Sequence, residues 1–175
     1  MVDDSYDEFV RAQIASLTRY AIALTSDRHA ADDLVQETLV RLLTAWKRIR
    51  VDGNPAAYAT TVMFRTHVSL WRKVQRSPRG VELTSDHQSG TDAYATVDSQ
   101  LALDLGLGRL PRLQRAVLVA TYLDDHSDDE IAQMIGRSPS TVRSLRHRGL
   151  KALRSDLTNN GDREVANGDA RITAS

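Results

Sequence analysis

Apolar residues recur every three or four positions along most of the chain, which is the spacing of helices that bury one face. Before residue 124 this pattern predicts helices at residues 6–24, about 30–49, 55–75, 97–107 and 113–123. Breaks at Asp52-Gly53-Asn54-Pro55 and around Pro111 separate neighbouring helices. Strand-like alternation is nowhere long enough to indicate a sheet. The pattern therefore predicts an all-α protein.

Residues 124–154 predict two short helices joined by a tight turn. Ser127 and Glu130 have the spacing of a capping box, so a helix is expected to begin directly after Ser127. Gly136 is expected to end it, because glycine enters the left-handed conformation at little cost. Ser138-Pro139 then provides a cap and a first helical residue for the second helix.

The second of these helices is strongly basic. No acidic residue occurs from Arg137 to Arg154. Ala132, Gly136 and Val142 occupy the positions where a helix-turn-helix needs a small residue, a turn glycine and an inward aliphatic residue. A short helix followed at a fixed angle by a basic one is typical of the motif that enters the DNA major groove. The alternative is a basic amphipathic helix packed on a small bundle.

The predicted helices form two groups. We expect a helical domain at 1–78, a flexible polar linker at 79–96, a second helical domain at 97–157 and a disordered tail at 158–175. The tail is expected to be disordered because it is polar and lacks an apolar stripe.

Charge changes this picture only through its distribution. Among 175 residues, 23 basic and 23 acidic side chains cancel, but basic residues concentrate at 41–50, 65–79 and 137–154. Two separate basic surfaces are thus compatible with a nucleic-acid partner. The absence of cysteine, of an apolar leader and of a membrane-length apolar run predicts a soluble cytoplasmic protein.

Catalytic and metal-binding patterns are missing from the sequence. The five histidines are scattered, and the G-x-G at 105–108 follows no predicted strand. The acidic segment 124–130 lacks the spacing of a calcium loop. We expect no enzymatic activity, no metal and no cofactor.

Three sequence motifs, which follow one another along the chain, resemble those of a known protein family. The resemblance spans residues 6–157. The motifs are Asp33-Leu34-Val35-Gln36-Glu37, the basic segment 65–76, and Leu110-Pro111 followed by the helix-turn-helix. Together they resemble the sigma-70 family of RNA polymerase sigma factors, in its short extracytoplasmic-function class and the actinobacterial SigE-like subgroup. The resemblance implies a protein that binds core RNA polymerase, directs it to promoters and assists promoter melting.

The first motif has a polar face. Asp33, Gln36 and Glu37 lie at helical positions i, i+3 and i+4, whereas Leu34 and Leu42 are expected in the core. The resemblance implies that the three polar residues dock on the coiled-coil clamp helices of the largest polymerase subunit. An ordinary solvated helix face is the alternative.

The basic segment combines cations with aromatic rings, which suits unpaired DNA bases and their phosphates. The resemblance implies that this helix recognises the promoter −10 element and that residues 49–55 form a loop that traps a flipped base. The implied contacts are Arg65, His67, Trp71, Arg72, Lys73 and Arg76. Arg65 stands where many relatives have asparagine. Core packing is an equal alternative for Trp71 and Phe64.

The helix-turn-helix is implied to read the promoter −35 element as duplex DNA. Arg143, Ser144 and His147 are expected to face the bases, and Arg148 a phosphate. The full set of implied contacts is Arg137, Ser138, Ser140, Thr141, Arg143, Ser144, His147 and Arg148. Leu145-Arg146 reverses the polar-then-aliphatic order of relatives, so Leu145 is expected to point inward and Arg146 to extend outward.

Two other functions compete with this interpretation. A stand-alone helix-turn-helix regulator would bind duplex DNA without polymerase, commonly as a dimer. An adaptor that only binds polymerase would not need two DNA-binding surfaces. The acidic N-terminus and the linker leave room for an anti-sigma partner, although no residue identifies one, and no membrane partner is expected.

Overall fold

The computed structural model describes residues 4–49, 53–75 and 99–172. The helices are α1 (Asp4–Thr25), α2 (Arg28–Ile49), α3 (Pro55–Gln75), α4 (Ser99–Arg109), α5 (Arg112–Tyr122), α6 (Asp128–Ile135) and α7 (Pro139–Ile172). All regular structure in these ranges is helical, which confirms the predicted fold class. Over the same ranges, no helix is long and apolar enough to cross a membrane. The predicted linker, 79–96, lies outside the described residues.

The C-terminal segment differs from its prediction. Residues 158–172, expected to be disordered, continue α7 as helical backbone as far as Ile172. Extending an existing helix needs no new nucleation step, and each added residue gains one backbone hydrogen bond. No proline after Pro139 interrupts that extension.

The first three helices pack on one another and bury the large residues of the N-terminal half. Leu42 and Phe64 are fully buried at its centre. Trp46 is packed against two aromatic rings of α1: its centroid lies 5.2 Å from that of Tyr6 and 5.0 Å from that of Phe9. These contacts fix α2 against α1, so that the opposite face of α2 is left to solvent.

The C-terminal half is built around α5. Its residues from Arg115 to Ala120 are all buried, and α6 and α7 pack against this helix. Gly149 lets α7 approach closely, because a Cβ there would lie 3.2 Å from side-chain atoms of Leu118. The helix-turn-helix formed by α6 and α7 is thereby held on a buried support.

The two halves contact each other directly. α1 touches α4 and α5, and α3 touches α6, so the buried apolar residues form one continuous cluster. Arg115, 1% exposed, is at the centre of this contact. Its guanidinium donates to the carbonyl oxygens of Leu24 and Thr25 at 2.9 and 3.2 Å, and to Ser26 Oγ at 2.9 Å. Weaker bonds run to the carbonyls of Leu107 and Gly108. One α5 side chain thus satisfies the last carbonyl groups of α1, which have no partner within that helix.

Candidate nucleic-acid and polymerase interfaces

Local hydrogen bonds set the ends of the two helix-turn-helix helices where the sequence predicts them. Ser127 Oγ accepts the Glu130 N–H, and the Glu130 carboxylate accepts the Ser127 N–H, which completes the capping box. The Ser127 N–H and hydroxyl both donate to the Glu130 carboxylate, and these bonds lower the pKa of that carboxyl group. Gly136 ends α6 at φ 63°, and Ser138 Oγ accepts the Thr141 N–H to start α7. The ends of both helices and the turn between them are therefore set by local hydrogen bonding and by the turn glycine.

The predicted −35 contacts form one accessible face of α7 and its preceding turn. Arg143, Ser144, His147 and Arg148 line a shallow exposed depression. Arg137, Ser138 and Ser140 are exposed at the turn, and Thr141 is half-buried. On the opposite side, Val142, Leu145 and Gly149 are buried against the rest of the domain. Cationic and hydrogen-bonding groups are thus presented together on the side away from the core.

Arg146 does not extend outward, so that expectation is wrong. Its guanidinium turns back to α6 and pairs with both carboxylate oxygens of Asp128, with 3.3 Å between Nη2 and Oδ2. The inward position of Leu145, 8% exposed, is as predicted. Arg146 therefore joins the two helices instead of lying on the groove-facing surface.

The predicted −10 contacts on α3 are divided between solvent and the other half of the protein. Arg65 and Lys73 are exposed, whereas His67, Trp71 and Arg72 are partly buried. Phe64 is fully buried, so it packs in the core. Arg76 and residues 50–52 of the predicted base-trapping loop lie outside the described residues.

The partly buried residues of α3 face helices of the C-terminal half. Trp71 and His67 border a cleft of about 330 Å³ together with Arg112 and Arg115 of α5 and with Asp27. The guanidinium of Arg72 lies against Gly136, the turn residue of the helix-turn-helix. Burial, together with the charges of Arg115 and Arg112, lowers the pKa of His67 to about 4. His67 is thus neutral at pH 7 in this arrangement.

A second polar contact joins the two halves. Asp124, just after α5, accepts hydrogen bonds from Thr60 Oγ1 at 2.7 Å and from the Tyr20 hydroxyl at 3.4 Å. His126 Nε2 lies 3.0 Å from Asp124 Oδ2, at an angle that does not make a hydrogen bond. Burial and the Asp124 carboxylate raise the pKa of Tyr20. The Asp124 carboxylate therefore links α1 and α3 to the loop before α6.

The predicted polymerase contacts lie on an exposed face of α2. Asp33, Gln36 and Glu37 are all exposed, and Glu37 pairs with Arg41 at 2.8 Å. Two apolar residues on the same face, Val40 and Leu43, are 60% and 44% exposed. Sequence reasoning did not single them out as contacts. The available signal was that they lie four and seven positions after Gln36.

Both halves match known families. Residues 9–77 match sigma-70 region 2, and residues 100–153 match sigma-70 region 4. The RNA polymerase sigma-E factor of Streptomyces coelicolor is 33% identical over 154 residues, covering 87% of this chain and 85% of the relative. The ECF RNA polymerase sigma factor SigL of Mycobacterium tuberculosis is 36% identical over 159 residues, covering 87% and 86%.

The fold has a counterpart among solved structures. The sigma factor RpoE from Bartonella quintana, in a co-crystal structure with the anti-sigma factor NepR, aligns with a TM-score of 0.61. The sequences are 21% identical, and the alignment covers 89% of this chain and 98% of that one. Because its sequence matches these proteins along both halves, the chain belongs to the extracytoplasmic-function class of sigma-70 family RNA polymerase sigma factors.

Proposed function

We propose that this protein is a dissociable, cytoplasmic initiation factor that binds core RNA polymerase, directs it to specific promoters and assists their opening. The proposal rests on two basic surfaces of this sigma-70 family protein, which lie on different halves of the chain. One is on α3 and the other is on α7. A helix with aromatic rings suits unpaired bases, and an exposed recognition helix suits a duplex. These steps need only the free energy of binding to polymerase and DNA, and no chemical reaction.

The proposed polymerase-docking face is the exposed face of α2. Asp33, Gln36 and Glu37 offer carboxylate and amide groups to a basic partner through charge-assisted hydrogen bonds. Val40 and Leu43, exposed at the same face, add an apolar centre. A polar rim around exposed apolar residues is the usual composition of a protein-binding surface.

The proposed −35 contacts are those of the accessible face of α7. Arg143 can bind a guanine edge through two hydrogen bonds, because its guanidinium is a planar fork. Ser144 and His147 lie beside it, and Arg148 is placed to hold a phosphate. This half therefore binds duplex DNA with sequence preference.

The proposed −10 contacts require a change of arrangement. His67, Trp71 and Arg72 lie against α5 and the helix-turn-helix, where DNA cannot reach all of them. We infer that the two halves separate when α3 binds the promoter. A capture site for an extruded base would then offset the unstacking cost, roughly a few kcal/mol.

An anti-sigma partner is a further part of this proposal. The structural neighbour from Bartonella quintana was crystallised with the anti-sigma factor NepR. A protein that binds both halves at once would oppose their separation. It would thereby keep the −10 contacts away from DNA.

Dependence on core RNA polymerase distinguishes this function from that of a stand-alone regulator. A regulator would bind duplex DNA alone and would need neither the α2 face nor a second, basic-aromatic helix. The proposed initiation factor needs both.

The test is co-elution with core RNA polymerase in size-exclusion chromatography. Wild-type protein is expected in the polymerase peak. Gln36→Ala is expected to weaken this association and Glu37→Arg to abolish it, because the latter places a cation opposite a basic partner. Glu8→Arg makes the same change of charge on the exposed part of α1 and is the matched control. Co-elution that Glu37→Arg leaves intact would refute the docking face, and duplex binding without polymerase would favour the regulator.

A further inference from the structure

Asp128 is the one acidic residue that contacts the basic helix of the helix-turn-helix through ion pairs in the described part of that motif. It is the first residue of α6, directly after the capping Ser127. Its carboxylate is only 18% exposed. A carboxylate at this place is stabilised by the helix N-terminus and is already held in position before any partner binds.

Two arginines of α7 share this carboxylate. Arg146 pairs with both oxygens, in the fork geometry that restricts a guanidinium most strongly. Arg143, one turn earlier, places Nη1 3.9 Å from Oδ2. The Arg146 side chain is 28% exposed and lies between α6 and α7, whereas the Arg143 side chain is 59% exposed and lies at the surface.

The unequal pairing has a consequence for Arg143. Because Arg146 keeps the carboxylate paired, Arg143 can leave it for DNA without stranding a half-buried negative charge. Until it leaves, the Asp128 carboxylate 3.9 Å away weakens the attraction of the Arg143 guanidinium for the nearest phosphate. A base edge that forms two hydrogen bonds can compete with this carboxylate better than a phosphate contact can.

We propose that Asp128, anchored by Arg146, is a specificity-determining positioning residue that directs Arg143 to a base edge of the promoter duplex. This inference rests on the proposed function of α7 as the duplex-reading helix. It also gives Arg146 a role, since the reversed Leu145-Arg146 order is what brings an arginine within reach of Asp128. The residue acts through Arg143 and need not touch DNA.

The experiment uses holoenzyme assembled from core RNA polymerase and the full chain. A −35 duplex is first selected from a random-sequence library by wild-type holoenzyme, and its affinity is compared with that of a scrambled duplex. For Asp128→Asn, we expect the specificity ratio to fall about tenfold, mainly because the scrambled duplex binds more tightly. The salt dependence of scrambled binding should become steeper by about one counterion, since Arg143 is freed for a phosphate.

Asp129→Asn is the matched control. It removes the same charge from the next residue of α6, which is exposed, and it should leave the specificity ratio unchanged. Arg146→Leu, which restores an aliphatic residue, should also lower the ratio, because Asp128 then competes with DNA for Arg143. Thermal unfolding followed by circular dichroism checks that each variant is folded.

A double-mutant cycle separates positioning from simple support of the fold. In an Arg143→Ala background, Asp128→Asn should no longer change the specificity ratio. An unchanged ratio in Asp128→Asn alone, or an equal loss of both affinities, would overturn the inference. If the wild-type holoenzyme selects no −35 sequence at all, the proposed function of α7 fails, and this inference fails with it.

Discussion

The two basic helices of this protein carry similar residues and are presented in different ways. On α7, Arg143, His147 and Arg148 are exposed and share one open face. On α3, His67 is largely covered and has a pKa of about 4, and Arg72 lies against the turn of the other half. Sequence composition indicates what each helix can bind, whereas its neighbours decide whether that surface is accessible.

Packing explains the difference. α7 is buried along one side, by Val142, Leu145 and Gly149, so its other side meets solvent. α3 is packed into the N-terminal core on one side and touches the C-terminal half on another. The proposed −35 contacts on α7 are therefore accessible as they stand, whereas the proposed −10 contacts on α3 would need a rearrangement first. Three tests can break or sharpen this contrast.

Arg115→Met should have the largest effect. It removes hydrogen bonds to five acceptors and leaves buried carbonyls of α1 without a donor, which costs about 3 kcal/mol. We expect a lower free energy of unfolding in urea and a larger radius of gyration by small-angle scattering, because the halves separate. Arg109→Met is the control, since it loses only a surface ion pair with Asp156. Unchanged scattering would show that Arg115 does not hold the halves together.

The accessible helix should give the next largest effect. Arg143→Ala should cost about 1–3 kcal/mol of discrimination against the wrong base in duplex binding by holoenzyme. Arg148→Ala should weaken selected and scrambled duplexes alike and reduce the salt slope by about one. Titrations of both duplexes at several salt concentrations measure these effects. Identical behaviour of the two variants would contradict their assignment to a base and a phosphate.

Acidification should have a smaller effect than these substitutions. It should shift the protein toward an open form in which the halves are apart and the covered residues of α3 are accessible. The pKa of His67 is 6.5 ordinarily and about 4 in the closed arrangement, so the open form binds more protons between these values. Lowering the pH from 7 to 5 should therefore shift the equilibrium toward opening by about twentyfold. Arg112, Arg115 and Asp27 face the same cleft.

This shift can be followed by acrylamide quenching of Trp71, which borders the cleft, while Trp46 stays buried at 4% exposure. His67→Gln should remove most of the pH dependence and provides the control for the other titrating groups. A pH response that His67→Gln retains in full would assign the effect to a different group.

Local signals predicted the helix-turn-helix well. The capping box of Ser127 and Glu130, the left-handed Gly136 and the Ser138 cap are interactions between residues three or fewer apart, or conformations of one residue. The exposed face of Asp33, Gln36 and Glu37 follows equally from helical spacing. The start of helix 55–75 at Pro55 was predicted, because the break Asp52-Gly53-Asn54-Pro55 delimits it.

Other features could not be predicted from spacing. Residues 158–172 were predicted to be disordered, whereas the structure continues α7 through them, since a polar segment without proline can extend a helix that tertiary packing has already nucleated. The pairing of Arg146 with Asp128 also differs from its expectation, because it depends on the angle at which α6 and α7 cross.

By itself the sequence determined the helices, their caps and the chemistry of each face, since these depend on hydrogen bonds and periodicity within a few residues. Tertiary structure alone decided that Arg115 is buried against a helix end some 90 residues away in sequence, that the pKa of His67 is lowered to about 4, and that the proposed −10 contacts are partly covered while the proposed −35 contacts are exposed. These properties arise from desolvation and hydrogen bonding between distant segments, and such contacts exist only once the two halves have packed together.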